Sequence, residues 1–181
     1  MVTKHFRIFG KMLFRPLSFK DLCLTVLLLE LIMSKIRLTK EFRFEMAHAL
    51  WNYDGLCKNI HGHSYIFQVT VLGEPNSDEN SPKYGMVMDF GDLKKIVKEE
   101  VVDQMDHSIM ISDNAPVEKL LQVPQMTERY HVVSYQPTCE NLLVDFSERI
   151  RARLPGNISL FSLKLHETGN SFAEWFASDN E

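Results

Sequence analysis

Ile36-Arg37-Leu38-Thr39-Lys40-Glu41-Phe42-Arg43-Phe44-Glu45-Met46-Ala47-His48 and His61-Gly62-His63-Ser64-Tyr65-Ile66-Phe67-Gln68-Val69-Thr70-Val71-Leu72-Gly73 are two runs that alternate in polarity. Successive side chains of a strand point to opposite faces. Ile36, Leu38, Phe42, Phe44, Met46 and His48 therefore share one face of the first run, and Arg37, Thr39, Glu41, Arg43 and Glu45 take the other. In the second run His61 and His63 stand with Tyr65, Phe67, Val69 and Val71 on the apolar face. A histidine on such a face is more often a hydrogen-bonded core residue than a ligand, and His-Gly-His alone is a weak pattern. Three converging imidazoles are different, because burying them unpaired costs free energy that a metal would offset. With no fourth protein ligand obvious, they describe a catalytic zinc site that keeps one position open.

The link through Asn52-Tyr53-Asp54-Gly55 and Cys57 is long for a hairpin and is expected to fold over one end of the strand pair. Downstream, the polar stretch from Gly73 to Pro82 is rich in turn formers. Met86-Val87-Met88 reads as a short extended piece. Asp89 to Asp92 opens a helix with Leu93, Ile96, Val97 and Val101 at helical spacing, ending near Met105. Signals from Ser108 to Gln136 are mixed, with a helical turn at Val117–Leu121 and a strand at His131–Tyr135 as candidates left unassigned. Thr138 caps a second helix that turns Leu142, Leu143, Phe146, Ile150 and Leu154 inward and stops at Pro155-Gly156. Ile158–Glu167 is a strand, and Phe172–Phe176 pairs with it. The pattern is α+β: an antiparallel sheet of about four strands with two helices on one face.

At 181 residues and 45% hydrophobic content the chain suffices for one domain with a real core. Twenty basic and 24 acidic side chains, mixed along a chain of net charge -4, form no basic stripe of the kind nucleic acid requires. Three widely spaced cysteines, Cys23, Cys57 and Cys139, contain no Cys-x-x-Cys. A disulfide framework is not expected, and a reducing, cytoplasmic compartment is. Residues 1–33 open basic and run into a leucine-rich stretch bracketed by Asp21 and Glu30. That outline resembles a signal peptide, but no small-x-small cleavage site follows, and the apolar run is too short to span a membrane. They are expected to be an appendage to a catalytic domain over 34–181, or to precede a translation start at Met33.

Three further features carry chemistry. Cys57 precedes His61 by four residues. Near a metal and a histidine its thiol can serve as base or nucleophile, and it is otherwise a small buried hydrophobe or a fourth, structural zinc ligand. Asp106-His107 sits where the first helix ends and gains meaning only if His107 approaches Cys57, with a carboxylate orienting its ring. Glu167 follows Phe161, Leu163 and Leu165 on one strand parity and so points inward. A carboxylate there needs donors. Adjacent N–H groups of a pterin or guanine ring would supply two parallel bonds, and pairing with an arginine is the competing use.

Phe44-Glu45-Met46-Ala47-His48, Cys57-x-x-x-His61-Gly62-His63, Gly85-Met86-Val87-Met88-Asp89-Phe90 with Leu93-Lys94, Asp106-His107, Pro137-Thr138-Cys139-Glu140-Asn141 and Glu167-Thr168 occur in one order from Ile36 to near the C-terminus. That set resembles the 6-pyruvoyltetrahydropterin synthase and 6-carboxytetrahydropterin synthase family of the tunnelling fold. The resemblance implies that His48, His61 and His63 bind zinc, which acts there as a Lewis acid. It implies that Cys57 transfers protons with Asp106 and His107, that Glu167 anchors the pterin, and that Thr138 lines its pocket. The implied substrate is 7,8-dihydroneopterin triphosphate. Three residues between Cys57 and His61 look like the bacterial 6-carboxytetrahydropterin synthases of queuosine biosynthesis, lyases that release triphosphate and acetaldehyde. The longer spacer of 6-pyruvoyl synthases marks the alternative product, and trimming of the dihydroneopterin side chain is another. The resemblance also implies a homo-oligomer, usually a hexamer, with sites at subunit boundaries and with neither nucleic acid nor membrane as partner. A reading from a different class is a non-catalytic binding module in which Cys57 closes a structural zinc site.

Overall fold

The computed structural model describes residues 34–120, 122 and 126–180. The N-terminal stretch up to Met33, expected to be an appendage, lies outside the described residues.

The two alternating runs form strands over the expected ranges, β1 (Ile36–His48) and β2 (His61–Gly73), paired antiparallel along their whole length. Their register sets Phe42 opposite Phe67, Phe44 opposite Tyr65, Met46 opposite His63 and His48 opposite His61. Each apolar parity therefore meets its counterpart on one face, and the three histidines collect at one end of the pair.

Helix α1 (Phe90–Val97) starts where expected: the Asp89 carboxylate accepts the Gly91 N–H at 2.6 Å, supplying one of the partners a helix N-terminus lacks. It widens into a π turn at Lys98–Val102 and continues through Asp103–Met105. Next come strand β3 (Ser108–Ser112), a single helical turn α2 (Val117–Leu120) and strand β4 (Tyr130–Val133). Helix α3 (Cys139–Arg151) has Thr138 at its N-cap, followed by β5 (Ser159–His166) and β6 (Phe172–Phe176).

Among the described residues the sheet has six strands in the order β4-β3-β1-β2-β5-β6, which corrects the expected four. It is also mixed, since β3 runs parallel to β1 and β4 parallel to β3. Both added strands are short: β3 buries four of its five residues and so lacks the period-two alternation of a half-exposed strand, while β4 alternates between exposed and half-buried positions over only four residues and overlaps the unassigned His131–Tyr135 candidate. Met86–Val87–Met88 is no strand: the Met86 carbonyl accepts the Asn76 N–H inside the connecting loop. A bulge is the other departure. Val71 pairs with Leu160 while Thr70 pairs with Ser162, which leaves Phe161 unpaired. Parity breaks there, so Leu160 joins Leu163 and Leu165 in the core and Phe161 lies under the Arg37 guanidinium, 3.9 Å from its ring centre.

Both long helices pack on the apolar face. Leu93, Val97 and Val101 from the first and Leu142, Phe146 and Ile150 from the second join Phe44, Phe67, Val69 and Leu163 in one buried cluster. Phe146 sits at its centre, edge-on to Phe44 at 6.4 Å and to Phe67 at 5.5 Å. Phe146→Ala should destabilise the domain by about 3–5 kcal/mol in urea unfolding, the cost of a large aromatic cavity; a loss below about 1 kcal/mol would contradict this packing.

Candidate metal centre and active site

His48, His61 and His63 offer ligand nitrogens that all lie within 4.8 Å of one another. The outer atoms of the rings decide what the inner ones can do. His48 Nδ1 is 2.7 Å from the Pro137 carbonyl oxygen, and His61 Nδ1 is 2.8 Å from that of Asn59. A carbonyl only accepts, so each Nδ1 carries the proton and each Nε2 is a bare lone pair. Those two lone pairs face each other at 3.2 Å. Between two acceptors that separation is repulsive, yet it is close to the edge of a tetrahedron around an ion with nitrogens about 2.0–2.1 Å away. His63 Nε2 is buried with no hydrogen-bond partner among the described residues. A cation among the three nitrogens would resolve both anomalies, so the donor set fits a metal that takes imidazole ligands.

The protonation chemistry agrees. Burial holds both His48 and His63 below the ordinary histidine range, and it outweighs the Glu167 carboxylate, which pulls the other way. Neutral rings are the form a metal needs. Protons and metal compete for the same lone pairs, and a depressed pKa delays the proton. Metal occupancy should therefore persist as pH falls to about 6.5 and drop only below it; a chelator-indicator titration showing release already above pH 7 would contradict this. Without metal, the unfolded chain takes up these protons first, so stability should decline as pH falls through the same ordinary histidine range.

Glu167 lies beside the triad as its strand parity predicts. One carboxylate oxygen is 3.6 Å from His48 Nε2 and 3.8 Å from His63 Nε2, with its side chain 27% exposed. The competing expectation, an arginine partner, is not met among the described residues, where those two histidines are its ion-pair neighbours. Tyr65, stacked on Phe44 at 5.1 Å, points its buried hydroxyl toward this carboxylate without closing a hydrogen bond of good geometry. Cys139 sits behind them. Its thiol lies 3.3 Å from the Leu165 carbonyl, and burial pushes its pKa up to about 12, so it is an inert core group.

Cys57 is half-buried in a short helical turn, Leu56–Lys58, within the β1–β2 link, and its carbonyl accepts the Leu50 N–H at 2.9 Å. Among the described residues it is not part of the group of converging metal-binding atoms, which holds the three histidines. Asp106 and His107 sit at the level of Glu45 on β1, and His107 shares the lining of a pocket of about 370 Å³ with His63. Asp106 accepts the Glu45 N–H at 2.9 Å, and His107 donates its N–H to the Glu45 carbonyl at 2.6 Å. This clasp holds His107 at φ +58°, a left-handed conformation uncommon outside glycine. The same Glu45 N–H keeps the Asp106 carboxyl below its usual range, and its other oxygen lies 3.1 Å from His107 Nδ1. Asp106 thus orients an otherwise exposed ring. Among the described residues no hydrogen bond or ion pair joins Cys57 to this pair.

Thr138 spends its hydroxyl on the helix cap, accepting the Asn141 N–H at 3.3 Å. The groups that sequence reading missed are backbone carbonyls, Pro137 and Asn59, which fix the His48 and His61 rings; no side-chain pattern announces them. A larger cleft of about 930 Å³, with Gly73, Asp92 and Arg153 on its walls, lies at the opposite end of the β1–β2 pair. It holds none of these residues.

Residues 37–177 match the family model described as 6-pyruvoyl tetrahydropterin synthase. The chain belongs to this family. A Haemophilus influenzae relative named 6-carboxy-5,6,7,8-tetrahydropterin synthase is 34% identical over 143 residues, covering 77% of this chain and 97% of the relative. A Pyrococcus furiosus relative named dihydroneopterin monophosphate aldolase is 35% identical over 146 residues, covering 78% and 99%. Among solved structures, an uncharacterized protein from Wolinella succinogenes superposes with TM-score 0.65 at 21% identity over 80% of this chain and 99% of that one. The Caenorhabditis elegans 6-pyruvoyl tetrahydropterin synthase does so with TM-score 0.56 at 24% identity, covering 80% and 97%. These structural likenesses establish the tunnelling fold. Among the described residues of this family member, no helix is long and apolar enough to cross a membrane.

Proposed function

We propose that this lyase of the pterin synthase family is a zinc enzyme. It takes 7,8-dihydroneopterin triphosphate and water to 6-carboxy-5,6,7,8-tetrahydropterin, acetaldehyde and triphosphate, as a cytoplasmic step of queuosine biosynthesis. The observation that carries the reading is the set of three histidine Nε2 atoms converging beside the Glu167 carboxylate. Neutral His48, His61 and His63 would hold the ion, whose Lewis acidity would acidify the protons of the substrate side chain.

The chain's own groups then divide the remaining work. Glu167 accepts two adjacent N–H donors of the pterin and so orients the side chain toward the metal. The Cys57 thiolate removes a side-chain proton, and His107, oriented by Asp106, moves the second. Thr138 would line the pterin pocket from the start of α3, next to Pro137, whose carbonyl orients His48. Because no hydrogen bond or ion pair joins Cys57 to His107 among the described residues, we place the site at a boundary between copies in a homo-oligomer, with residues 34–181 as the catalytic domain. The 34% identical relative supports the 6-carboxy product.

A closed structural zinc site is disfavoured, since Cys57 does not join the three histidines. The second reading is cleavage of a dihydroneopterin monophosphate, favoured by the name of the 35% identical relative. Comparing kcat/KM for the triphosphate and the monophosphate separates them. The reading expects the triphosphate to be used far better, with inorganic triphosphate released. Preference for the monophosphate would replace it with the second.

A further inference from the structure

We propose that Gln136 is a positioning residue that holds the Cys57 loop in register with the histidine cluster. Its carboxamide makes two bonds to one residue of that loop: Oε1 accepts the Trp51 N–H at 3.1 Å, and Nε2 donates to the Trp51 carbonyl at 2.7 Å. One residue back, the Leu50 N–H closes on the Cys57 carbonyl at 2.9 Å. The amide therefore grips the loop beside the point where Cys57 is tied down. The other end of the grip is equally fixed. The Gln136 carbonyl accepts from Asn141 Nδ2 at 2.9 Å and from the Thr138 N–H at 2.7 Å, which anchors it to the start of α3. Its neighbour Pro137 is buried and presents the carbonyl that orients His48. Gln136 and Pro137 thus tie three things together: the Cys57 loop, a ring of the histidine cluster and a rigid helix end.

A paired amide on a peptide unit fixes both position and orientation, since both bonds must point along the plane of the amide. No backbone ladder replaces it. Residues 49–60 contain no strand, and Trp51, Tyr53, Leu56 and Ile60 leave large apolar surfaces exposed, so core burial does little to fix the loop. The inference rests on the reading of Cys57 as the proton-transferring group, because a misplacement near 1 Å at such a group costs on the order of a hundredfold in rate.

The test uses the full zinc-loaded chain with Gln136→Met, which keeps length and volume but loses both bonds. Gln136→Glu is the second variant, keeping the acceptor and losing the donor. Three quantities are read: bound zinc, the iodoacetamide alkylation rate of Cys57 by peptide-resolved mass spectrometry, and kcat with KM. We expect zinc content unchanged, Cys57 alkylated about tenfold faster, and kcat lower by about 10–100-fold with KM within about twofold. Unchanged alkylation in both variants overturns the proposal, as does faster alkylation with kcat unaltered. If the wild-type chain makes no product, it is the catalytic reading that fails. The alkylation rate then decides the clamp alone, a faster rate sustaining it and an unchanged rate overturning it.

Discussion

Cys57→Ala should fold, keep its zinc and lose turnover by about 10²–10⁴-fold, the usual contribution of a positioned proton-transfer group. Cys57 makes no part of the core cluster, and among the described residues its hydrogen bond is made by the backbone carbonyl, which alanine retains. Nor does its thiol belong to the converging metal-binding group. Fold and metal should therefore be indifferent to the change, and thermal unfolding with metal analysis would register both. KM should move little, since the proposed recognition of the ring rests on Glu167 and not on the thiol. Simultaneous loss of zinc and fold would place the thiol in a structural site instead, and full activity would remove it from the chemistry.

His63→Ala should abolish tight zinc binding and, with it, activity. Partners that merely hydrogen-bond a metal ligand cost about 10–100-fold in affinity when removed; removing the ligand itself should exceed that. His63 is the informative member of the triad because its Nε2 has no other occupation, whereas His48 and His61 face each other. Its side chain is 17% exposed at the cluster's edge, so truncation leaves the core intact. Excess zinc stabilises a protein that binds it, by about 4 kcal/mol at a thousand times Kd. The wild-type Tm should rise with added zinc and that of His63→Ala should not. An equal rise in both would mean that the ion binds elsewhere.

Much of this was legible in the sequence, for identifiable reasons. Period-two alternation over thirteen residues in each of β1 and β2 located both strands, and parity alone put His48, His61 and His63 on one face. Glu167 followed from the same rule, although the bulge at Phe161 shows that parity survives only where pairing is regular. The caps at Asp89 and Thr138 were readable because short polar side chains there have a fixed local job. Strand β3 was not, since five largely buried residues paired in parallel carry no alternation, and β4 is so short that its four residues showed only as the unassigned candidate at His131–Tyr135. The position of Asp106 and His107 depends on β3 docking beside Glu45, a contact 61 residues distant in sequence. Neither the carbonyls of Asn59 and Pro137 nor the grip of Gln136 on Trp51 leaves any trace in a residue pattern, because backbone atoms do half of each bond.

The most direct measurement is the product made by the zinc-loaded chain from 7,8-dihydroneopterin triphosphate, identified by mass spectrometry with acetaldehyde trapped in the same vessel. The account predicts 6-carboxy-5,6,7,8-tetrahydropterin and acetaldehyde in equal amounts, absent after chelation and restored by zinc. A 6-pyruvoyl product without acetaldehyde, or turnover indifferent to chelation, would contradict it.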